Sequence, residues 1–446
     1  MSEKFQFKQN DFPEMNFLST AEVIARSDAA ILGVYKRFPV VFTSGRGSRL
    51  FDIESKEYLD FAGGIAVTSL GHAHPEINKT LRDQSGLVCH TSNLFHNLPQ
   101  IELAEKLKQL TGPGKLFFAN SGAEANECMI KLARAYGSKL AEINGTPHRY
   151  EIISMRNSFH GRTLATIAAT GQDKVKIGFE PIPAGFLHAD FNDLSSIENA
   201  ITEKTVAVII EGIQGEGGII IAEREFLIGL RALCNKYNLL LLFDSVQCGF
   251  FRTGSFQSYT EILKCDEKTN SDLFLPDAIS MAKSLGGGFP ISACWISDSL
   301  TQYLGAGSHG TTYGGNPLAC KIASKIIEIV ERDRLDYNAR MRGVELHSGF
   351  INIKNNFPNK LKDVRGMGLI QGVEFHPFTP PSTYESLTPA AYICLLGLQN
   401  GLLLVPAGNQ TVRALPQLGV TIDEINEGLE RFRRIIDLVP DSCFQI

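Results

Sequence analysis

Short apolar runs alternate with helical patterns over most of the chain. The runs at residues 115–119, 150–154, 206–210 and 239–243 predict strands. Because these runs are continuous rather than alternating, they predict a parallel sheet that is covered on both faces. The pattern at residues 225–237, between the last two runs, predicts the crossover helix that parallel pairing requires.

Helices are predicted where apolar residues recur every three or four positions. Residues 123–136 follow the first strand and form one such pattern. Asn316 and Pro317 open another, since proline is tolerated in a first helical turn. Thr421 and Glu424 have the spacing of a capping box at the start of the last helix. The alternation of strands and helices predicts an α/β fold with a doubly wound, mostly parallel sheet.

The character of the chain changes after about residue 335. Helical patterns there alternate with strands predicted at residues 369–375 and 402–405. We therefore expect a large doubly wound domain over residues 71–334 and a smaller α+β domain over residues 335–446. The N-terminal segment, residues 1–70, is expected to join the smaller domain.

Composition narrows the classes of function. Hydrophobic residues make up 43% and charged residues 20% of the 446 residues, which allows a sizeable buried core. Lys and Arg total 43 against 48 for Asp and Glu, and no basic stripe favours nucleic-acid binding. Residues 386–412 carry no charge, but Gly401 and Pro406 interrupt them. This segment therefore predicts a buried helix and then a buried strand, not a membrane span.

The cysteines and the N-terminal residues indicate a compartment. The nine cysteines are scattered and never form a CxxC pair, which predicts reduced thiols rather than disulfides or a zinc site. The first 25 residues contain no arginine and no apolar core segment, so neither a secretory signal nor a transit peptide is expected. We therefore expect a cytoplasmic protein.

Lys283 is the only charged residue between Asp277 and Asp298. Burial of an ammonium group is costly and lowers its pKa, so a buried lysine is a candidate nucleophile for imine formation. A lysine whose stem is covered while its amine reaches solvent is an equally acceptable interpretation of this segment alone.

Asp244 and residues 120–127 offer two groups that such a lysine could meet. Asp244 ends an apolar strand, with no other charge between Lys236 and Arg252. The carboxyl end of a parallel strand is where α/β proteins place ligand-facing groups, although a helix or turn cap is the competing interpretation. Residues 120–127 open a helix whose first N–H groups can bind an anion such as a phosphate, although any strand-to-helix turn favours Ser and Gly.

Together these three features fit one ligand, a phosphorylated aldehyde with a basic ring nitrogen. The lysine would form the imine, the aspartate would keep the ring nitrogen protonated, and the helix start would hold the phosphate. No Walker A sequence and no GxGxxG after a strand supports a nucleotide, and no HExxH or comparable spacing supports a metal.

Six sequence blocks extend this pattern from about Phe51 to the last helix. They are GHAHP at 71–75, FANSGAEANE at 118–127, SFHGRT at 158–163, EGIQGEGG at 211–218, AKSLGGGFP at 282–290 and TTYGGNP at 311–317. In this order they closely resemble the class III pyridoxal-phosphate-dependent aminotransferases of fold type I, the ornithine and acetylornithine type. The resemblance implies pyridoxal 5'-phosphate as cofactor and a homodimer with shared active sites.

By matching positions, the resemblance also implies the cofactor contacts. Lys283 resembles the Schiff-base lysine that moves the proton between substrate and cofactor carbons, and Asp244 resembles the partner of the ring nitrogen. Gln247 is similar to the residue at the ring hydroxyl, and Phe159 to the one that stacks on the ring. Thr312 resembles a phosphate ligand that arrives from the partner subunit. The other phosphate contacts implied are Ser121, Gly122 and Ala123.

Three charged residues resemble the family's substrate-binding groups. Arg162 is similar to the residue that grips the carboxylate remote from the reacting nitrogen, for which a guanidinium fork is well suited. Arg413 matches the arginine that receives the carboxylate beside the reacting carbon of glutamate, and Glu216 matches the acid that neutralises it when another donor binds. Surface ion pairs are the alternative, which the flanking apolar and glycine residues disfavour.

The sequence departs from the family pattern around these positions. Ser245 and Cys248 stand where Glu and Thr are usual, and Gly212 replaces a common proline. The stretch at residues 255–276 is longer than usual. These changes leave the cofactor residues in place and alter their surroundings, so they bear on rate and substrate preference.

The resemblance implies an aminotransferase reaction in two halves. The ω-amino group of N-acetylornithine would be taken first, and 2-oxoglutarate would then leave as glutamate. Residues 63–67, 90–95 and 401–408 resemble the acetylornithine subgroup, and residues 63–67 offer no tyrosine that could bond a free α-amine. Ornithine, succinyldiaminopimelate and 4-aminobutyrate are alternative donors.

Three other classes of protein fit less well. An aminomutase of the same family could dispense with the Glu216–Arg413 pair. A non-catalytic interaction module would have no reason to keep Lys283, Asp244 and Arg162 together. A nicotinamide-dependent enzyme would carry the dinucleotide fingerprint, which is absent from this sequence.

Overall fold

The computed structural model describes residues 18–264 and 274–444. The expectations for residues 1–17, for Cys265 and for the middle of the long 255–276 stretch lie outside the described residues. The largest sheet has seven strands, which in spatial order are β4 (Gly114–Ala119), β12 (Ser292–Ser297), β11 (Ala278–Met281), β10 (Leu240–Asp244), β7 (Thr205–Glu211), β5 (Glu151–Met155) and β6 (Phe186–Ala189). From β11 to β6 the neighbouring strands are parallel, and β12 is antiparallel to both of its neighbours.

The four strands predicted from apolar runs are confirmed as β4, β5, β7 and β10. Each observed strand differs from its predicted range by no more than about one residue at either end. The predicted crossover helix is also present, as α8 (Arg224–Tyr237), and it connects β7 to the parallel strand β10.

Both faces of the large sheet are buried, which explains why its strands are apolar throughout. Ile210 and Phe243 belong to the same hydrophobic cluster as α8. Ile209 and Leu242, their neighbours in sequence, belong to a second cluster with residues of α5 (Gly122–Asn144). Because successive side chains point to opposite faces of a strand, helices on both sides require an apolar residue at every position.

The α5 helix continues beyond its predicted end at residue 136. Gly137 weakens the helical pattern, but a Cβ at this position would overlap the carbonyl of Arg149, so the helix requires a glycine to pack there. The helix ends at Gly145, which adopts φ +63°.

The remaining helical elements surround the sheets. One of them, α2 at residues 63–66, is a short left-handed turn rather than a regular helix. In chain order they are α1 (Thr20–Ala30), α2 (Gly63–Ala66), α3 (Pro75–Ser85), α4 (Leu98–Thr111), α6 (Leu164–Ala169), α7 (Leu194–Ala200), α9 (Ser258–Leu263), α10 (Pro317–Arg332), α11 (Leu335–Asn356), α12 (Pro389–Gln399) and α13 (Ile422–Leu438). The predicted helix starts are confirmed. Asn316 caps α10, and Thr421 and Glu424 form the capping box of α13.

Three smaller sheets complete the fold. One contains β13 (Leu361–Met367), β14 (Ile370–Phe375), β17 (Thr411–Ala414) and β16 (Val405–Ala407), all antiparallel. Another contains β1 (Phe42–Arg46), β2 (Arg49–Asp52), β3 (Glu57–Asp60) and β15 (Leu402–Leu403). The third pairs β8 (Ile213–Gln214) with β9 (Ile220–Ile221).

The single strand predicted at residues 402–405 is wrong. The chain leaves one sheet after β15 and enters another at β16, so the apolar run serves two sheets in succession. Pro406 is tolerated because β16 is an edge strand. The parallel pairing of β15 with β3 supports the grouping of residues 1–70 with residues 335–446, whose boundaries stay a prediction.

The uncharged segment at residues 386–412 contains α12 and then short strands, in agreement with the prediction of a helix before a strand. Among the residues that the structure describes, no helix has both the length and the apolar character needed to cross a membrane.

Candidate active site

A cavity of about 390 Å³ lies at the carboxyl ends of β7, β10 and β11. Parallel strands converge at this edge of the sheet, and ligands of α/β proteins bind there. The sequence-predicted residues that line the cavity are Ser121, Gly122, Ala123, Phe159, Arg162, Asp244, Gln247 and Lys283.

Lys283 follows β11 and adopts φ +44°, a conformation that is rare for a residue with a side chain. Such strain at a cavity wall is typical of functional sites. Burial lowers the pKa of its amine to about 8, although the nearby carboxylate of Glu216 opposes the shift. Roughly a tenth of the amine is therefore neutral, and nucleophilic, at pH 7, far more than for a lysine in water.

Asp244 is held by four hydrogen bonds from the protein, of which the longest is the one that the Ser280 hydroxyl donates to Oδ1 at 3.4 Å. The side-chain amide of Asn126 donates to Oδ2 at 2.8 Å, and Nδ1 of His160 lies 2.8 Å from the same oxygen. The backbone N–H of Val246 donates to Oδ1 at 3.0 Å. These donors fix the orientation of the Asp244 carboxylate at the cavity wall.

Asn126 and His160 were not predicted as site residues. Asn126 lies four residues after Gly122, hence on the same face of α5, and this spacing was the available signal. His160 directly follows Phe159, but no local pattern shows that its ring turns toward Asp244.

Glu211 is another site residue that the sequence reasoning missed. It ends β7 directly opposite Asp244 in the parallel register, so its position at the strand end was a signal. Burial, reinforced by the charge of Asp244, raises the pKa of its carboxyl well above the usual range. The backbone N–H of Phe159 donates to its Oε2 at 3.2 Å. Glu211 therefore holds the Phe159 backbone, and its raised pKa favours the neutral form of the carboxyl.

The start of α5 lines one side of the cavity. Ser121 caps the helix, with its hydroxyl accepting from the N–H of Glu124 at 3.3 Å. Gly122 and Ala123 belong to the first turn, whose N–H groups have no acceptor within the helix. A Cβ on Gly122 would lie 2.7 Å from the side chain of Val246, so only glycine allows this close approach.

Thr312 is exposed and is absent from the cavity lining. The structure does not bring it together with Lys283 of the same chain. Its expected role at the site of a partner subunit stays a prediction.

Glu216 and Arg413 form a bidentate ion pair beside the cavity. The two contacts from the guanidinium measure 2.8 Å to Oε1 and 2.9 Å to Oε2. Gln247, which lines the cavity, accepts from Arg413 at 2.7 Å and donates to Glu216 at 3.2 Å. Burial opposes ionisation of Glu216, but the charge and hydrogen bonds of Arg413 hold the pKa of its carboxyl below the usual value.

Arg162 has a different environment. Its guanidinium is exposed and lies 5.6 Å from the centroid of the Phe159 ring, within range of a cation–π interaction. Within residues 18–264 and 274–444 it forms no ion pair. The fork is therefore available to a carboxylate that enters the cavity.

The departures from the family pattern, Gly212, Ser245 and Cys248, lie together against the start of α9. Ser245 donates a short hydrogen bond to Gln257, which precedes this helix, and the hydroxyl of Ser258 donates to the thiol of Cys248 at 3.2 Å. A Cβ on Gly212 would overlap the Ser258 hydroxyl. Ser245, Cys248 and Gly212 thus form one packing unit with Gln257 and Ser258 behind the cavity.

The described residues fit pyridoxal phosphate. A strained lysine with a lowered pKa, an aspartate fixed by four donors and a glycine-lined helix start lie on one cavity. They provide an amine, an anion for a ring nitrogen and amides for a phosphate.

Comparisons with known proteins agree with this chemistry. The family model described as aminotransferase class-III matches residues 33–436. An acetylornithine/succinyldiaminopimelate aminotransferase from Buchnera aphidicola is 42% identical over 414 residues, 92% of this chain and 95% of that protein. An acetylornithine aminotransferase from Myxococcus xanthus is 39% identical over 92% of this chain and 96% of its own length.

Solved structures give the same result. An ornithine aminotransferase from Toxoplasma gondii superposes with a TM-score of 0.86 at 26% identity, covering 96% of this chain and 98% of that one. An N-acetylornithine aminotransferase from Stenotrophomonas maltophilia gives a TM-score of 0.74 at 32% identity, covering 93% and 98%. The predicted fold class is confirmed, and the chain belongs to the class III aminotransferases, which depend on pyridoxal phosphate.

Proposed function

We propose that this protein transfers the ω-amino group of N-acetylornithine to 2-oxoglutarate. The observation that carries the proposal is the Glu216–Arg413 pair beside Lys283, together with the exposed guanidinium of Arg162, which forms no ion pair within residues 18–264 and 274–444. Arg413 is neutralised by a carboxylate and, among the described residues, Arg162 is not, so the two arginines can bind the carboxylates of two different substrates in one site. The names of the Buchnera and Myxococcus relatives support acetylornithine as the donor.

Pyridoxal phosphate, when bound, supplies the carbonyl that captures the amine and the electron sink that makes the adjacent C–H acidic. Lys283 would hold it through Nζ and then act as the base that moves a proton from the amine-bearing carbon. Asp244 would keep the ring nitrogen protonated, Phe159 would stack on the ring, and Gln247 would reach the ring hydroxyl. The N–H groups of Ser121, Gly122 and Ala123 would bind the phosphate.

The arginines would distinguish the two half-reactions. Arg162 would bind the carboxylate remote from the reacting nitrogen in either substrate. When N-acetylornithine reacts, no carboxylate lies beside the reacting carbon, and Glu216 would stay on Arg413. When glutamate reacts, its α-carboxylate would replace Glu216 on Arg413. One cavity could then serve an ω-amine and an α-amino acid in turn.

The test of this proposal is the near-visible absorbance of the cofactor-loaded protein. N-acetylornithine alone and glutamate alone should each bleach the band of the bound cofactor, because each donor completes one half-reaction. Ornithine, 4-aminobutyrate and N-succinyl-diaminopimelate should be compared at equal concentration, the last because the Buchnera relative is named for it. A strong preference for free ornithine would contradict the choice of donor, and a band that no donor bleaches would contradict the transfer.

We also infer a homodimer in which Thr312 binds the phosphate of the partner's cofactor. The exposed position of Thr312, outside the cavity of its own chain, supports this. A mixture of Lys283→Ala and Thr312→Ala proteins, unfolded and refolded together, should regain activity, because each mixed dimer would contain one intact site. No recovery in mixed dimers would contradict shared sites.

We also propose a cytoplasmic location. The eight cysteines within the described residues are free thiols, which suits a reducing compartment. Fractionation of the source cells, followed with an antibody, would test it.

A further inference from the structure

Residues 61–69 are here called the strap, and residues 283–285 the lysine turn. The strap runs between the lysine turn and the segment that follows Arg413. Within the strap, residues 63–66 have φ values of +53°, +59°, +63° and +60° in succession. Two of them, Ile65 and Ala66, are not glycine, and a β-branched residue is particularly unfavourable in this conformation. A left-handed turn of this kind persists only where surrounding contacts enforce it.

Two buried serines connect the strap to the lysine turn. The hydroxyl of Ser284 donates to the carbonyl of Ala66 at 2.8 Å, and the hydroxyl of Ser69 donates to the carbonyl of Ser284 at 3.0 Å. The two serines are 2% and 0% exposed. Ser284 directly follows Lys283, which is itself left-handed at φ +44°. The two strained turns are therefore joined by a reciprocal pair of hydrogen bonds.

The opposite side of the strap contacts the chain just after Arg413. The N–H of Leu415 donates to the carbonyl of Phe61 at 2.6 Å, and the N–H of Leu418 donates to the carbonyl of Ser69 at 2.8 Å. A Cβ on Gly63 would lie 2.5 Å from the carbonyl of Leu415, so this approach also requires glycine. The strap is thus hydrogen-bonded on both sides, to the lysine turn on one side and to the segment after Arg413 on the other.

We propose that Ser69 and Ser284 are positioning residues, which hold the Lys283 backbone in its left-handed conformation by bonding it to the strap. This rests on the proposed function, since it assumes that Lys283 is the reacting amine. The hydroxyls touch no substrate. They act on the direction of the lysine side chain, because a change of φ at Lys283 redirects its Cβ and displaces Nζ at the end of a long side chain. A displaced Nζ would slow proton transfer without changing how the arginines bind substrate.

The variants Ser69→Ala, Ser284→Ala and their double combination test the proposal. Ser324→Ala is the matched control, since Ser324 is also buried, at 6% exposure, and its hydroxyl bonds to no described residue. The first measurement uses the cofactor-free protein: acylation of the Lys283 amine is followed by mass spectrometry of its peptide across pH. In the parent protein half-maximal reactivity is expected near pH 8. In the double variant it should shift upward, as Nζ reaches more water.

The second measurement is steady-state transamination by the loaded enzyme. Each single variant should lower kcat by about tenfold and the double variant by about 100-fold, with KM changed less than about twofold. Ser284→Thr, which keeps the hydroxyl donor, should retain more activity than Ser284→Ala. Either single variant suffices if the double variant does not fold.

Parental kcat and a parental acylation midpoint in the double variant would overturn the proposal. So would an equal loss in Ser324→Ala, since the effect would then be general packing. Failure of the proposed function gives a different result: the parent protein would not transaminate at all. The acylation midpoints would still decide whether the serines position this amine.

Discussion

Replacing Glu216 with Gln should affect the two half-reactions unequally. The substitution keeps the shape of the side chain and removes the charge that neutralises Arg413, which is 1% exposed. Arg413 then keeps only neutral acceptors, the carbonyl of Gly215 at 2.9 Å and Oε1 of Gln247 at 2.7 Å. The N-acetylornithine half-reaction would proceed beside an unneutralised cation, whereas glutamate would bring its own carboxylate.

The magnitude of this difference between the half-reactions follows from the two Arg413–Glu216 contacts that the substitution weakens, at 2.8 and 2.9 Å. A hydrogen bond to a charged group contributes about 1.5–3 kcal/mol, and glutamine can still supply one neutral acceptor. The free enzyme and the N-acetylornithine complex both lose this pair, whereas glutamate no longer has to displace Glu216. The ratio of kcat/KM for glutamate to kcat/KM for N-acetylornithine should therefore rise by about 2–3 kcal/mol, or about 30- to 150-fold. For glutamate kcat/KM should be unchanged or higher, because no carboxylate has to be displaced from Arg413.

Single-turnover absorbance changes measure each half-reaction separately. Glu102→Gln is the matched control, because Glu102 forms a 2.9 Å pair with Lys321 in which both side chains are more than 40% exposed. Exposed pairs of this kind contribute little, so both half-reactions should be unaffected in the control. Equal losses in the two half-reactions, or a loss for glutamate alone, would refute the reasoning.

Three further changes have defined outcomes. Asp244→Asn should lower kcat by about 10²- to 10⁴-fold while cofactor absorbance persists, because an amide cannot keep the ring nitrogen protonated. For Lys283 the folded pKa is lowered to about 8, so between pH 8 and about 10.5 the unfolded state binds the extra proton. The free energy of unfolding of the cofactor-free protein should rise across that range by up to about 3 kcal/mol, and denaturant titrations should show a smaller rise in Lys283→Met. Gly137→Ala should cost about 1–3 kcal/mol in urea unfolding through overlap with Arg149, whereas Gly305→Ala, which meets nothing within 4 Å, should cost far less.

Local sequence patterns were enough to predict the elements of the large sheet. A strand covered on both faces must be apolar at every position, so β7 and β10 could be recognised without knowing what covers them. Asp244 could be placed at a ligand-facing edge for the same reason, since it ends such a strand. The length of α5 was underestimated, because the need for Gly137 depends on a carbonyl twelve residues away that approaches only in the folded chain.

The chemistry of the site was fixed by contacts between distant residues. Asn126 donates to a carboxylate 118 positions away, and His160 meets the same oxygen across 84 positions. The pKa of Glu211 is raised chiefly by its burial, and further by the charge of Asp244, which the register of two strands places opposite it. No periodicity encodes such approaches, because hydrogen bonds and desolvation depend on distance in space.

By itself, then, the sequence determined the α/β class, the sheet edge that carries Asp244, and, through its motifs, the residues of the cofactor cavity. The tertiary structure decided the environment of the site: which carboxyl has a raised pKa, which amine is desolvated, and which guanidinium has no ion-pair partner among the described residues. It also determined the strained backbone conformation of the strap beside Lys283, because the local preference of Ile65 disfavours a left-handed turn. Local preference governs the elements, whereas the ionisation and strain of a site depend on what packs around it.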